Sequence, residues 1–407
     1  MNPTPTTGTT GTANLPAPDS DASAHSAVLL AHIREHIAQS GGWISFADYM
    51  ALCLYAPALG YYMAGARKLG AEGDFITAPE LSPLFGQCLA QWLMRSGGVM
   101  HPDSDGILEI GAGTGVLAAA MLEELEQQQA LPARYFILEL SADLRQRARD
   151  TLAACVPHLL ERVTWLNQLP PQFNGLVLGN EVLDALPCEL LRLHQGRAWQ
   201  RGVVCSDQGL AFNDRPLSLQ DGALGQQAAM LLQQLGDACA NQAYVTEVQW
   251  QAQGLMRSLG GMLRGGAVLM IDYGFAASEY YHAQRNQGTL MCHYRHRSHD
   301  DPFFWPGLQD ITCHVDFSAM IRAADAGGLN CVGFTSQAGF LLHSGLIELV
   351  QRVPVDDQAR YLAMSNVVNR LTSPAEMGEL FKVIAFVPAA DANATTTLPG
   401  FVHHRQV

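Results

Sequence analysis

The sequence predicts an α/β protein built on a doubly wound, Rossmann-like sheet, and three observations carry that expectation. Residues 107–115, ILEIGAGTG, set three apolar residues around Glu109 and follow them with a glycine turn free of β-carbons, the pattern of a short buried strand entering a tight loop. Val116, Leu117, Ala120, Met121 and Leu125 then recur at helical spacing, completing a strand, loop and helix. Beyond them, apolar runs at 134–140, 163–166, 175–180, 265–275, 330–335 and 380–388 are separated largely by amphipathic helical segments, as a sheet with crossover helices requires.

The loop narrows the choice of ligand. A dinucleotide fingerprint spaces its glycines G-x-G-x-x-G, and here Val116 stands in the third place. A P-loop carries a lysine beside its last glycine, yet no Lys or Arg lies between Ile107 and Ala133. The spacing E-x-G-x-G-x-G suits S-adenosylmethionine, whose ammonium and sulfonium a lysine would repel and whose amino group matches an acid such as Glu109. Glu139 follows Gly111 by 28 residues at the tip of the second strand, where an acid accepts hydrogen bonds from both ribose hydroxyls.

Composition bounds the rest. The 407 residues have room for one large domain with insertions or for two domains, and 48% hydrophobic residues supply a sizeable core. A formal charge of −14 argues against nucleic acid or an anionic membrane as partner and leans toward a cationic substrate. Nine cysteines without a C-x-x-C pair read as buried thiols in a reducing compartment. No apolar run approaches the roughly 18 residues of a membrane span, so no membrane insertion is expected.

Residues 1–25 are rich in Thr, Gly, Pro, Ala and Ser without a Lys or Arg, which reads as a disordered tail. They carry neither the apolar core of a signal peptide nor the arginines of a transit peptide, so the expected location is the cytoplasm. Residues 26–100 form an N-terminal helical region, with helical patterns at 27–39, 45–57 and 81–96. Between the last two patterns, residues 60–80 are rich in glycine and aromatics, and so long a connection is expected to be a lid over the cofactor pocket. Thr77, Pro79 and Glu80 at its end are candidate cofactor contacts.

GDFITAPELSPLFGQ (73–87), the glycine loop, NEVLDALP (180–187), IDYG (271–274), GTLMCHYRHR (288–297), HVDFSAM (314–320), TSQAGFLLHSG (335–345) and MGELFKVIAF (377–386) stand in the order found in the MidA family. The chain resembles that family over about residues 26–390. The resemblance implies a class I methyltransferase that uses S-adenosylmethionine, related to the mitochondrial complex I assembly factor that methylates protein arginine. It therefore implies a seven-stranded sheet and an arginine-containing protein substrate, such as a respiratory complex I subunit. The chain departs from animal and fungal members at Ala112 and Thr114, where they carry Pro and Arg.

The α/β alternation continues past the loop. Residues 141–156 are an amphipathic helix with Ser141 as N-cap, and the fourth strand leads into Asn180, Glu181 and Asp184 at the carboxyl edge of the sheet. A guanidinium is a planar fork of donors that is always charged, so paired carboxylates are its natural receptor, and these three residues are the candidate catalytic set. Residues 188–240 begin with short strands broken by Gly and Asp turns and read as an inserted substrate or dimerisation segment, before a helix over 246–263. The cofactor-binding domain is then 101–187 with 241–390, and 391–407 is a flexible tail. Asp272 and Tyr273 end the fifth strand at the functional edge, where Tyr273 could stack on adenine or shield the sulfonium. The full candidate cofactor set is Thr77, Pro79, Glu80, Glu109, Gly111, Gly113, Gly115, Glu139, Asn180, Asp272 and Tyr273. Cys292, His293, His296 and His299 do not match a zinc-finger spacing, so no metal is expected. The rival readings are a small-molecule N- or O-methyltransferase and an assembly chaperone that binds S-adenosylmethionine without turnover.

Overall fold

A computed structural model describes residues 15–65, 77–97, 99, 103–220, 222–354, 356–391 and 398–401. Seven strands run side by side in one sheet in the order Leu329–Ser336, Phe381–Pro388, Leu263–Phe275, Phe173–Asn180, Gly106–Ile110, Tyr135–Leu138 and Val163–Leu166. From Leu263–Phe275 to Val163–Leu166 neighbouring strands are parallel, whereas Phe381–Pro388 runs antiparallel to both its neighbours. Where the sequence implied seven strands, the described residues give the sheet eight. The fifth strand is 13 residues long and runs on past its neighbours, and Gly274, without a β-carbon, lets Val315–Asp316 pair with its end.

Glycine fixes how three of these strands begin. Gly106, Gly175 and Gly266 lie in register across adjacent strands at φ of +136°, +146° and +94°. A β-carbon on Gly175 or Gly266 would fall 2.1 Å from the carbonyl oxygen of the next glycine, so no other residue fits there.

Side chains alternate across the sheet into two cores. Ile107, Leu176, Leu178, Leu269, Ile271 and Val383 face helices Leu84–Arg95, Val116–Gln127 and Ala142–Cys155. Leu108, Val177, Val268, Met270, Ile384 and Phe386 face helices Trp250–Met262 and Phe317–Ala326. Ser141 caps its helix as expected, its hydroxyl accepting from Leu144 N.

A second sheet holds Ile44–Ser45, Arg197–Ser206, Glu189–His194 and Tyr244–Val248, with Gly209–Leu217 paired to Arg197–Ser206. Helix Gly222–Leu235 packs on one face through Ala228 and Leu231. The N-terminal helices Ser20–Gln39 and Phe46–Tyr55 pack on the other, where Leu29, Ile33, Phe46 and Tyr49 meet Leu190 and Val203. The second sheet thus takes in strand Tyr244–Val248, past the expected insertion boundary at 240, and residues 246–248 are strand where a helix was expected. Their side chains are buried on both faces and show no alternation, the condition under which a strand and a buried helix look alike in sequence.

Each predicted tail includes residues that belong to the fold. Asp19 caps a helix that starts at Ser20. At the other end Leu398 and Phe401 are buried, Phe401 lying over Gly333, where a β-carbon would meet its ring at 2.2 Å. Of the predicted lid, residues 66–76 lie outside the described residues. Residues 291–314 form a small three-stranded sheet, Met291–Tyr294, Arg297–His299 and Asp310–Thr312.

Candidate functional site

The carboxyl ends of the first, second and fourth strands open into a cavity of about 340 Å³. Gly111, Ala112, Gly113 and Thr114 form its floor, with Gly111 and Gly113 at φ of +69° and +56°, conformations that only glycine adopts without strain. Glu139 braces this loop, its carboxylate accepting from Gly113 N at 3.1 Å and from Ser141 N at 2.9 Å. A carboxylate offers about four lone-pair sites, so these two bonds do not exhaust it. Thr114 Oγ1 donates to Glu80 Oε1, which ties the end of the predicted lid to the loop.

Glu109 lines the inner wall. Its Oε2 accepts from the Tyr135 hydroxyl at 2.8 Å, and burial pushes its carboxyl up to about 7 despite that bond. Across the cavity, Asn180 Nδ2 donates to Glu181 Oε1 at 3.1 Å, and the buried Asn180 Oδ1 has no hydrogen-bond partner among the described residues. Burial pushes the Glu181 carboxyl up to about 8; the charge of Asp184 adds to the rise, while Asn180 and a backbone bond from Ala78 oppose it. Glu181 also sits at φ +53°, a strained conformation for a residue with a β-carbon.

Asp272 holds that strain in place. Its Oδ2 accepts from the backbone N–H groups of Val182, Leu183 and Asp184 at 3.2, 2.8 and 3.2 Å, and Glu181 N donates to Ile271 O at 2.8 Å.

The structure therefore divides the candidate residues. Thr77, Pro79, Glu80, Glu109, Gly111, Gly113, Glu139, Asn180 and Glu181 line the cavity. Gly115, Asp184, Asp272 and Tyr273 do not, and each has other work. Gly115, at φ +80°, lets the helix Val116–Gln127 approach Ala148, whose Cα would lie 2.8 Å from an added β-carbon. Asp272 clamps the 182–184 turn, and Tyr273 packs edge-on against His314 and Phe381 at 5.1 and 5.4 Å with its hydroxyl against Asp184. Asp184 is buried behind the wall, and its carboxyl is raised by burial.

Two tyrosines of the wall were not singled out from sequence. Tyr55 and Tyr62 line the cavity as a stacked pair, ring centroids 5.5 Å apart. The aromatic richness of 60–80 was the one signal for Tyr62; nothing distinguished Tyr55 from a core residue of its helix. Among the described residues no Lys, Arg or His lines the cavity, and no group of three or more His, Cys, Asp or Glu is arranged to hold a metal ion. Backbone amides, carboxylates and an unpaired amide oxygen suit S-adenosylmethionine, with its sugar hydroxyls, amine and positive sulfur.

A family described as "Putative S-adenosyl-L-methionine-dependent methyltransferase" matches residues 88–335. The chain belongs to this methyltransferase family. A crystal structure from Burkholderia thailandensis bound to S-adenosylhomocysteine is 45% identical, superposes with a TM-score of 0.88, and covers 97% of this chain and 99% of that one. The Drosophila melanogaster protein named protein arginine methyltransferase NDUFAF7 homolog, mitochondrial, is 30% identical over 94% of this chain and 92% of its own length. The Homo sapiens protein arginine methyltransferase NDUFAF7, mitochondrial, is 27% identical over 88% and 83%. This methyltransferase thus depends on S-adenosylmethionine. The cytoplasmic expectation is overturned, because the curated relatives are named as mitochondrial proteins.

Proposed function

We propose that this methyltransferase acts on an arginine side chain of a protein, such as the respiratory complex I subunit that the family resemblance implies. One observation carries the reading: the cavity wall presents Glu181, with Asp184 and Asp272 behind it, and no cationic side chain among its described lining residues. The charge of Asp184 raises the proton affinity of Glu181, so a cation beside Glu181 is accepted readily, and a guanidinium satisfies that carboxylate with directed hydrogen bonds. The names of the curated relatives support the same acceptor.

S-adenosylmethionine, when bound, supplies a methyl group on a positive sulfur. In this reading the glycine-loop backbone and Glu139 hold its adenosine, and Thr77, Glu109 and Asn180 face its amino-acid end. Glu181, its Oε1 held by Asn180 Nδ2, orients the acceptor guanidinium and takes the proton that the methylated nitrogen gives up, a transfer suited to a carboxyl poised near neutrality. Asp272 acts through the 181–184 turn as a positioning residue. Tyr62 and Thr77–Glu80, in the segments on either side of residues 66–76, flank the cavity. Ala185 and Leu186 line the cavity and lead directly into the second sheet, which makes that sheet the platform for the protein partner.

The test is to incubate the protein with methyl-labelled S-adenosylmethionine and lysate of its own organism, then map the label by mass spectrometry. Label on a protein arginine supports the reading. Label confined to small molecules refutes it in favour of a small-molecule methyltransferase, and no label at all favours the chaperone.

A further inference from the structure

Tyr55 and Tyr62 stack on each other, Tyr61 lies edge-on to Tyr62 at 5.1 Å, and both hydroxyls are tied to the protein. The Tyr55 hydroxyl donates to Ala185 O at 3.0 Å, and the Tyr62 hydroxyl donates to Asp310, 2.9 Å from each carboxylate oxygen. Ser141 Oγ donates to Tyr62 O at 2.6 Å. The turn bearing Tyr62 is stapled to the helix bearing Tyr55, with Tyr61 N donating to Cys53 O and Tyr62 N to Leu54 O at 2.8 and 2.9 Å. Gly60 permits that closure, since a β-carbon there would lie 2.6 Å from Leu54 O.

The pair spans the cavity from Ser141, after the second strand, to Ala185, after the fourth. Tyr55 and Tyr62 line the same cavity as the glycine loop, Glu139 and Glu181, and a ligand's sulfur lies in that cavity if adenosine is held at Glu139 and the acceptor at Glu181. With both hydroxyls already spent as donors, the rings have no donor to offer a ligand, and apart from the phenolic oxygens the pair presents π-surface. A carboxylate accepting from a phenol pushes electron density into the ring, which strengthens that face. Such a surface attracts a positive sulfur and is indifferent to a neutral one.

We infer that Tyr55 and Tyr62 form a cation-selective wall that favours the sulfonium of S-adenosylmethionine over the neutral thioether of S-adenosylhomocysteine. The wall tightens substrate relative to product, which eases product release after each turnover. The inference rests on the cavity being the S-adenosylmethionine site.

Calorimetric titration of both ligands tests it. Tyr55→Leu and Tyr62→Leu should each weaken S-adenosylmethionine on the order of tenfold while leaving S-adenosylhomocysteine within about twofold. Tyr55→Phe, which keeps the ring, should leave the ratio of the two unchanged. Should the leucine variants unfold, phenylalanine and 3,4,5-trifluorophenylalanine at position 55 are compared instead. They share a shape, and the fluorinated ring, stripped of its negative face, should lose affinity for the sulfonium alone. Equal losses for the two ligands, or no loss for either, would overturn the inference and leave the rings as a shape-filling wall. A Gly113→Val variant separates the two readings: if it still binds both ligands normally, the site assignment fails, whatever the tyrosines do.

Discussion

Replacing Glu181 by glutamine should separate acceptor recognition from cofactor binding, and its size follows from the burial of the carboxyl. With its proton affinity pushed up to about 8, roughly one Glu181 in ten is ionised at pH 7, so ionisation costs about 1.4 kcal/mol there and nothing at pH 9. A charge-assisted bond to a guanidinium is worth about 2–3 kcal/mol. The variant should therefore lose about 30- to 150-fold in kcat/KM for the acceptor at high pH, while affinity for S-adenosylmethionine stays within about threefold. The pH dependence fixes the sign. The group must be ionised to pair, so wild-type kcat/KM should rise about tenfold per unit at low pH and level off near or below 8, because a bound sulfonium lowers the inflection and never raises it. Glutamine, which does not titrate, should flatten that rise. A radiometric transfer assay over pH 6–9, with cofactor affinity measured separately, reads both quantities. A variant that keeps the wild-type rise, or loses less than threefold at pH 8.5, refutes the assignment; equal losses in cofactor binding and turnover would move Glu181 to the cofactor.

Three further expectations follow from the same contacts. Gly113→Val should abolish S-adenosylmethionine binding in calorimetry while circular dichroism shows the fold retained, since a β-branched residue at φ +56° displaces the loop. Asp272→Ala strands four backbone N–H groups, those of Val182, Leu183, Asp184 and Tyr273, and should cost about 3 kcal/mol or more in denaturant melts; Asp272→Asn, whose amide oxygen still accepts from residues 182–184, should lose much less. Phe401→Ala should destabilise by about 3–5 kcal/mol with cofactor affinity unchanged, because the ring is fully buried against Gly333 and Phe340.

By itself the sequence determined the strand–glycine loop–helix unit, the helices around it and all seven strands of the main row. Each is written in short-range patterns, either a period of apolar residues or a glycine where φ must be positive. The acid at the tip of the second strand was legible for the same reason, because its distance from the loop is set along one βα unit. Which side chains face the cavity was decided only by tertiary structure. The fifth strand is buried on both faces around Asp272, so nothing in its pattern tells that the carboxylate points at the 182–184 turn rather than at a ligand. Asp184 and Glu181 are three residues apart, yet the left-handed backbone at Glu181 sends one into the cavity and the other behind it. Tyr55 becomes a wall because its hydroxyl reaches Ala185, 130 residues away in sequence, and Phe401 becomes core because Gly333 leaves room for its ring. Those contacts join segments with no shared periodicity, and their geometry comes into being only when the sheet and the inserted sheet pack together.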